Sequence, residues 1–311
     1  MRVGLTERVA AVLEAGRAPG LHGLVVLRDG QVVLERYGAG PDHRLDEPLG
    51  HVVFDRDTLH DLRSVSKSVV GLVYGIALRE GLVPEVGASL LASFPECPPA
   101  GREHLTIEHA LTMTLGLDWN EDAPYTSAAN SEIAMELARD RHRYVLERPV
   151  VEAAGKRWHY CGGASALIGE IITRGAGRPL DEYAADRLFG PLGITRYEWS
   201  RGDDGVTRAA SGLRLRPVDL AAIGQLVLDG GRDIVPRSWI EETLRPRVAL
   251  DAGTRYGYQW YLHDGQAQAI GNGGQRLLIA PDDRLVVAVT AGEYDREQSS
   301  AEAALDAVLG R

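Results

Sequence analysis

The sequence predicts an α/β fold of the α+β type, in which one antiparallel β-sheet is built from both termini and carries an inserted helical lobe. Runs typical of strands lie near both ends, segments with helix start and stop signals occupy the middle, and amphipathic helices flank the whole. No internal repeat or low-complexity linker divides the chain. We therefore expect a single domain over residues 1–311, with an α/β lobe (1–62 and 235–311) and a helical lobe (63–234).

The two ends of the chain supply the predicted sheet. After a helix with apolar residues at helical spacing (Val3, Leu5, Val9, Val12), the segment LHGLVVLRDGQVVLERYG predicts two strands joined through Asp29-Gly30. That dipeptide accepts the positive φ angles of a tight hairpin. The C-terminal end predicts four strands and then a closing helix over residues 299–309; the strands are expected at 256–262, 267–270, 276–280 and 285–290.

The middle of the chain carries helix signals in the correct order. Thr106 can cap a helix that stops before Gly116, Pro217 can open one that stops at Gly230-Gly231, and Pro236 can open another. Because helices would then lie between the two halves of the sheet, an active site is expected in the cleft between the lobes.

Composition excludes several classes of function. A net charge of -10 argues against nucleic acid as a partner, because such proteins concentrate Lys and Arg on one face. The longest apolar run ends after ten residues, at Arg79, so no membrane span is expected. Cys97 and Cys161 fit no metal spacing, and no metal or cofactor is expected. We expect a cytoplasmic protein whose partner is a small acyl molecule; the oligomeric state is left open.

The polar start of an otherwise apolar helix is the first chemical signal. Ser64 and Lys67 are separated by three positions and share a helix face, whereas Ser66 and Ser68 point elsewhere. The S-x-x-K pattern alone is weak, since capping by the serine and a snorkelling lysine would explain it equally well. Lysine usage favours function, because only Lys67 and Lys156 among 34 basic residues are lysines. Arg cannot release its proton near neutral pH, whereas a buried Lys can.

To take the serine proton, Lys67 needs an uncharged amine. For Lys67 to be mostly neutral at pH 7, its pKa would have to be roughly 3 units below the usual lysine value, a free-energy difference of about 4 kcal/mol. Burial beside an apolar helix can supply such a shift. The helix N-terminus adds partial positive charge, which disfavours a second cation and favours an oxyanion on the acylated serine. We therefore expect Ser64 as nucleophile beside a neutral Lys67.

Two further segments carry candidate site residues. Tyr160 stands in a loop before a helix expected over residues 164–174, where packing alone would explain it, and its neighbour His159 is interpreted as a packing or hydrogen-bonding residue. The run Gly271-Asn272-Gly273-Gly274-Gln275 is either a simple turn or a close backbone approach to a ligand, with the Asn272 N–H as oxyanion donor. Motifs of zinc proteases, α/β-hydrolases and P-loop proteins are absent.

Together, Ser64-Val65-Ser66-Lys67, Tyr160 and the glycine-rich strand near residue 271 resemble the serine β-lactamase and penicillin-binding-protein-like hydrolases, closest to the class C-like branch. The GNGGQ segment is similar to the 6-aminohexanoate-dimer hydrolase and esterase group. The resemblance implies an acyl-enzyme on Ser64, proton handling by Lys67 and Tyr160 jointly, and an oxyanion site at the N–H groups of Ser64 and Asn272. It also implies that Gly271 and Gly273 line that site and that Gly162, Gln275 and Trp119 contact substrate.

Two positions depart from the family pattern. The usual Y-x-N triplet is Tyr160-Cys161-Gly162, so its amide is missing, and the cation that opens the third motif is Ala269. Both changes weaken a β-lactam interpretation. Without the cation, the carboxylate of a β-lactam loses a charge-assisted contact, which Arg276 would have to replace. An esterase or amidase is the leading hypothesis. The alternatives are β-lactamase or D-Ala-D-Ala carboxypeptidase activity, a non-catalytic ligand-binding homologue, and an acyltransferase.

Overall fold

The computed structural model describes residues 4–98 and 101–311, so Val3 of the predicted first helix lies outside them. The strands are β1 (Leu21–Arg28), β2 (Gln31–Tyr37), β3 (Ala39–Arg44), β4 (Glu47–Val53), β5 (His60–Asp61), β6 (Glu198–Trp199), β7 (Leu213–Leu215), β8 (Val248–Ala249), β9 (Thr254–Tyr256), β10 (Tyr261–His263), β11 (Gln266–Gly271), β12 (Gln275–Ala280) and β13 (Leu285–Ala291). The helices are α1 (Leu5–Glu14), α2 (Val65–Arg79), α3 (Ile107–Leu111), α4 (Ser131–Glu136), α5 (Arg141–Leu146), α6 (Gly162–Ala176), α7 (Leu180–Ala184), α8 (Pro217–Leu228), α9 (Arg237–Thr243) and α10 (Ser299–Leu309).

An eight-stranded antiparallel sheet joins the two ends of the chain. Its strand order is β2-β1-β13-β12-β11-β10-β9-β8, so the N-terminal hairpin pairs with the C-terminal strands at the β1–β13 contact. Val25 there is opposite Ala288. The predicted fold class, a sheet assembled from both termini with helices inserted between them, is confirmed.

The sheet is covered on both faces. Alternating side chains of one strand point to opposite faces, so Val26 packs in a core with α1 and α10, whereas Val25 packs in the larger core with α2 and α8. Strands β12 and β13 are buried along their whole length for this reason. Terminal helices therefore cover one face, and the inserted part of the chain covers the other.

Helix α2 connects the sheet to the helical part. Val65 to Ala77 are all buried, which matches the sequence prediction of an apolar helix, and α2 contacts both α6 and β11. The packing is close at Gly75, where the Trp239 ring of α9 leaves no room for a Cβ. The Trp239 indole N–H also donates to the Gly71 carbonyl at 2.9 Å. Trp239 thereby fixes the middle of α2 against α9.

Several boundaries differ from the predictions for local reasons. The expected strand over 256–262 is two strands, β9 and β10, because the chain turns at Gln259, whose φ is 64°. The helix capped by Thr106 ends at Leu111, before Met113 adopts a φ of 55°. Helix α8, expected within the helical lobe, packs on β12 and β13 of the sheet. The hairpin of β3 and β4 was not predicted.

Other elements follow their sequence signals closely. Helix α10 spans the expected residues 299–309, Pro217 opens α8, and α9 begins directly after Pro236. Among the residues that the structure describes, no helix is both long and apolar enough to cross a membrane.

Candidate active site

Ser64 and Lys67 meet at the N-terminal end of α2. Ser64 directly precedes the helix, and the Lys67 Nζ donates to the Ser64 Oγ at 2.8 Å. A second Nζ hydrogen bond goes to the carbonyl of Ala210, at 2.7 Å. The lysine is only 2% exposed. The helical spacing of the two residues thus brings their reactive atoms into contact, as the sequence predicts.

The hydroxyl groups of the neighbouring serines, Ser66 and Ser68, form hydrogen bonds with backbone groups. The Ser66 hydroxyl donates to the Arg63 carbonyl at 2.6 Å and accepts from the Leu213 N–H. The Ser68 hydroxyl donates to the Gln259 carbonyl, also at 2.6 Å. Neither hydroxyl is directed at Lys67, so Ser64 is the serine of this segment that is available for chemistry.

Tyr160 completes a three-residue group with Ser64 and Lys67. The Lys67 Nζ lies 5.0 Å from the centre of the Tyr160 ring, and interactions with both Lys67 and Ser64 act on the Tyr160 hydroxyl. Burial raises the pKa of Tyr160, and the opposing charge of Lys67 does not cancel this effect. The phenol is therefore protonated in the resting site.

The glycine-rich segment lies directly against the start of α2. A Cβ at Gly271 would stand 3.2 Å from the Ser64 nitrogen and would collide with the Leu62 carbonyl, so only glycine fits. The Asn272 side chain is held by Asp295, through Nδ2 at 2.5 Å and Oδ1 at 3.0 Å. Within the described residues, the backbone N–H groups of Ser64 and Asn272 donate to no other protein group. Both donors are free for an oxyanion.

Gly273 and Gln275 shape this segment. Gly273 has a φ of 90°, which favours glycine, and a side chain there would meet the Tyr294 ring. The Gln275 amide donates to the carbonyls of Ala291 and Asn272, at 2.6 and 3.2 Å, and is fully buried. Gln275 thus holds the turn to β13, and its side chain is not exposed to a substrate.

Two carboxylates occupy the place of the missing amide. A Cβ at Gly162 would collide with the Glu132 carboxylate and would stand 3.0 Å from that of Glu121. The Glu132 Oε2 lies 3.7 Å from the Lys67 Nζ. Glu121 accepts from the Gly162 N–H and the Trp119 indole, each at 2.5 Å, and from the Tyr125 hydroxyl at 3.1 Å. The site is an ion cluster as well as a serine–lysine pair.

This cluster contradicts the prediction of a neutral Lys67. Burial by itself lowers the lysine pKa, as the sequence argument assumed, but the nearby Glu132, together with Tyr160 and Glu121, outweighs burial and raises the pKa above its usual value. The resting lysine is therefore an ammonium ion. The prediction was wrong because it considered burial without the carboxylate that folding brings beside the amine.

Glu121, the second carboxylate of the cluster, has a raised pKa. Burial, followed by repulsion from Glu132, raises the pKa of Glu121 to about 8, although Lys67 and the Gly162 N–H oppose the shift. Two carboxylates beside one ammonium thus bind one proton between them at neutral pH. Protonation of Glu121 leaves less negative charge beside Lys67.

Other predicted residues lie near the site without facing it. Trp119 is 4% exposed, packs against Gly163 and supports Glu121, and it is not among the described residues that line the cleft. Arg276 donates to Gln298 and Glu302, both at 3.1 Å, which directs it toward α10. It does not replace the cation absent at Ala269.

The residues that sequence reasoning missed are Glu121, Tyr125 and Glu132. Tyr125 and Glu132 line the cleft with Ser64 and Asn272. They lie in a stretch without strong periodicity, so no local pattern singles them out. The glycine at position 162 was the one indication in the sequence. Where the family pattern has an amide, glycine leaves space beside the buried lysine for another polar side chain.

Comparison with known proteins places this architecture among hydrolases of the β-lactamase fold. A family model described as Beta-lactamase matches residues 5–309, and the chain therefore belongs to the beta-lactamase family. It is 26% identical over 294 residues to the 6-aminohexanoate-dimer hydrolase of Paenarthrobacter ureafaciens, with 86% of this chain and 71% of that relative covered. The resemblance stated from the sequence motifs is confirmed.

Solved structures share the fold at low identity. EstCE1, described as a hydrolase with promiscuous acyltransferase activity, superposes with a TM-score of 0.80 at 16% identity and 98% coverage of both chains. The octameric penicillin-binding protein homologue from Pyrococcus abyssi gives a TM-score of 0.75 at 21% identity, covering 100% of this chain and 78% of that one. These likenesses extend over the whole architecture.

Proposed function

We propose that this chain is a serine hydrolase that cleaves small esters or amides through an acyl-enzyme on Ser64. The observation that carries the proposal is the 2.8 Å contact between the Lys67 amine and the Ser64 hydroxyl, beside two free backbone N–H donors. Lys67 and Tyr160 manage the serine proton, and the N–H groups of Ser64 and Asn272 bind the oxyanion. Water then attacks the acyl-enzyme and releases the acid.

The charges of the cleft favour a substrate without a carboxylate. The position that would supply a cation is Ala269, and Arg276 is already paired with Glu302. Asp46, Glu132 and Glu136 line the cleft, whereas its two arginines, Arg63 and Arg208, are paired with carboxylates. We expect neutral p-nitrophenyl esters to be hydrolysed far faster than nitrocefin or D-Ala-D-Ala peptides, which carry a carboxylate.

The nucleophile is tested by Ser64→Ala. Wild type is expected to hydrolyse p-nitrophenyl butyrate and to gain one adduct from a fluorophosphonate probe, because the activated hydroxyl attacks phosphorus as it attacks a carbonyl. The variant should lose the adduct and all enzymatic turnover. Intact mass and ester hydrolysis measure both properties. Equal turnover by Ser64→Ala, or no adduct on folded wild type, would refute the proposal.

The lysine is tested by Lys67→Arg. Arg keeps the positive charge but cannot pass a proton on, so kcat/KM for the ester should fall by on the order of 10³-fold. Lys156→Arg is the matched control, since it makes the same change at the only other lysine, in a loop outside the cleft. It should retain wild-type kinetics. Near-native rates in Lys67→Arg would show that lysine deprotonation is not needed.

A cytoplasmic location belongs to the same proposal. Its support is that Cys97 and Cys161 are both free and buried, which suits a reducing compartment. Fractionation of cells expressing the untagged chain tests it, and recovery of the protein with secreted material would argue against it.

A further inference from the structure

The proposed chemistry leaves one proton without a destination. Ser64 must lose a proton as it attacks, yet Lys67 is already an ammonium ion and the Tyr160 phenol is protonated, for the reasons given above. Neither group can accept a proton in that state. An ionised acceptor is therefore required within the same cluster.

Glu132 is the group placed to accept it. Its Oε2 is 3.7 Å from the Lys67 Nζ, and its side chain is 7% exposed. Within the described residues this buried oxygen accepts no hydrogen bond. Glu121 is unsuitable, because its carboxyl group already accepts from the Trp119 indole, the Gly162 N–H and the Tyr125 hydroxyl. Glu132 thus has an unused acceptor directed at the lysine.

The glycine at 162 is the second observation. Any side chain there would collide with the Glu132 carboxylate, so the loss of the amide and the presence of the glutamate are geometrically linked. The glutamate comes from the first turn of α4, and the lysine from the first turn of α2. A carboxylate from a separate helix thus lies where a side chain at position 162 would stand.

From this arrangement we infer that Glu132 is a positioning residue that holds Lys67 against Ser64 and receives the proton that the lysine must release before it can act as a base. The inference rests on the proposed function of Ser64 and deepens it.

The proton step balances within the cluster. The Lys67 ammonium gives a proton to the Glu132 carboxylate, and the resulting neutral amine takes the proton of the Ser64 hydroxyl. The Oγ–carbon bond forms as the carbonyl π pair moves to oxygen, where the N–H groups of Ser64 and Asn272 bind it. When the intermediate collapses, the proton returns from Glu132 through Lys67 to the leaving group. After the attack Lys67 is an ammonium ion again, Glu132 is neutral, and the oxyanion carries the balancing negative charge.

The lysine titration is the readout closest to this claim. The charged and titratable side chains whose fields act on this cluster include Glu132, Glu121, Tyr160, Tyr125, Cys161, Glu136, Tyr256 and Tyr261. Because the chain has only two lysines, [¹³C]lysine labelling gives two Cε signals, and Lys156→Arg assigns them. The titration of Lys67 is then followed without any need for enzymatic activity.

Glu132→Gln keeps the shape of the side chain and removes its charge. With burial no longer opposed by this carboxylate, Lys67 should titrate at a pH lower by about one unit or more. An amine of lower pKa is also a weaker base, and the ammonium it forms has no counter-ion, so kcat/KM for the ester should fall by on the order of 10²-fold. Glu132→Asp keeps the carboxylate, so it should restore much of the Lys67 titration pH and much of kcat/KM. The control Asp122→Asn removes one exposed carboxylate from the neighbouring loop and should change neither.

Gly162→Ala provides an independent route to the same contact. The added methyl group displaces the Glu132 carboxylate while every charge is kept, so the Lys67 titration and kcat/KM should move in the same direction as in Glu132→Gln. This variant also serves if Glu132→Gln does not fold.

The outcomes separate the two claims. If wild type hydrolyses the ester and Ser64→Ala does not, the proposed function stands whatever the glutamate does. An unchanged Lys67 titration in folded Glu132→Gln, or in Gly162→Ala if the former does not fold, overturns the inference alone. A kcat/KM for the ester within threefold of wild type, in whichever of these two variants is used, also overturns the inference about Glu132.

Discussion

Two carboxylates and one ammonium fill the space behind Ser64, and each sets the charge of the others. The pKa of Lys67 stays high because Glu132 lies beside it, and burial together with the neighbouring Glu132 raises the pKa of Glu121. A single titratable residue in this cluster therefore cannot be assigned a charge from its own burial. Burial penalises isolated charge, whereas paired charge at short range offsets that penalty.

The protonation of Glu121 makes stability depend on pH. Its pKa of about 8 in the folded chain exceeds its usual value of 4.5, so the folded state binds more protons than the unfolded state between these values. The free energy of unfolding should consequently fall as pH rises through this window and level off above pH 8, by on the order of 3 kcal/mol. Urea unfolding of Glu121→Gln between pH 5 and pH 8 should show a much flatter dependence.

The comparison variant for this experiment is Asp122→Asn, which alters the adjacent exposed carboxylate. It should retain the wild-type slope. If Glu121→Gln and wild type lose the same free energy over the window, another group carries the dependence and Glu121 is ionised in the folded chain.

At the scale of elements, helix α2 positions the catalytic pair, because Lys67 lies in its first turn and Ser64 directly precedes it. The helix is held from its far side by α9, where the Trp239 ring lies directly over Gly75. Displacement of α2 would move Ser64 relative to Asn272, which lies in the turn between β11 and β12. The two oxyanion donors therefore depend on how a helix packs against a strand.

Gly75→Ala tests this dependence. The added Cβ overlaps the Trp239 ring, which is buried and cannot move freely, so we expect a loss of about 2 kcal/mol or more in the free energy of unfolding. Ester hydrolysis should also fall as α2 shifts. Denaturant unfolding and kcat/KM measure the two effects.

Gly87→Ala supplies the corresponding control, since open space surrounds that position. Its stability should stay within about 0.5 kcal/mol of wild type. A wild-type free energy of unfolding in Gly75→Ala would mean that the contact between α2 and α9 is loose.

Elements differ in how far their sequence defines them. Helix α10 matched its predicted range because apolar spacing and flanking residues are local signals. The run 256–262 is equally apolar, yet it turns at Gln259, whose carbonyl accepts from Ser68 and whose side-chain oxygen accepts from Ser165. Those partners lie far away in sequence. A contact with two helices therefore overrode a local strand preference.

On the scale of the whole molecule, the first and last elements close the structure. Strand β1 pairs with β13, and α1 packs beside α10 over one face of the sheet. Polar contacts reinforce this closure, since Ser300 accepts from the Gly20 N–H at 2.9 Å and donates to Glu293 at 2.7 Å. The ends of the chain are thus part of the core.

Removal of residues 299–311 should abolish cooperative folding. Without α10, one face of the central strands loses its cover, including buried side chains such as Leu278 and Val287. Far-UV circular dichroism during denaturation, and sedimentation, should show an aggregating chain with no sharp transition. Removing Arg311 alone, which is exposed, should leave the transition unchanged. A soluble, cooperatively unfolding truncated chain would refute this account.

The amino-acid sequence by itself determined the strand runs at both ends, the buried helix α2 and the meeting of Ser64 with Lys67, because each depends on spacing within one segment. Only the tertiary structure decided the charge of Lys67, the replacement of an amide by Glu132, and the direction of Arg276 toward α10. These features arise between segments that are distant along the chain, and electrostatic energies depend on distances in space that no local pattern encodes.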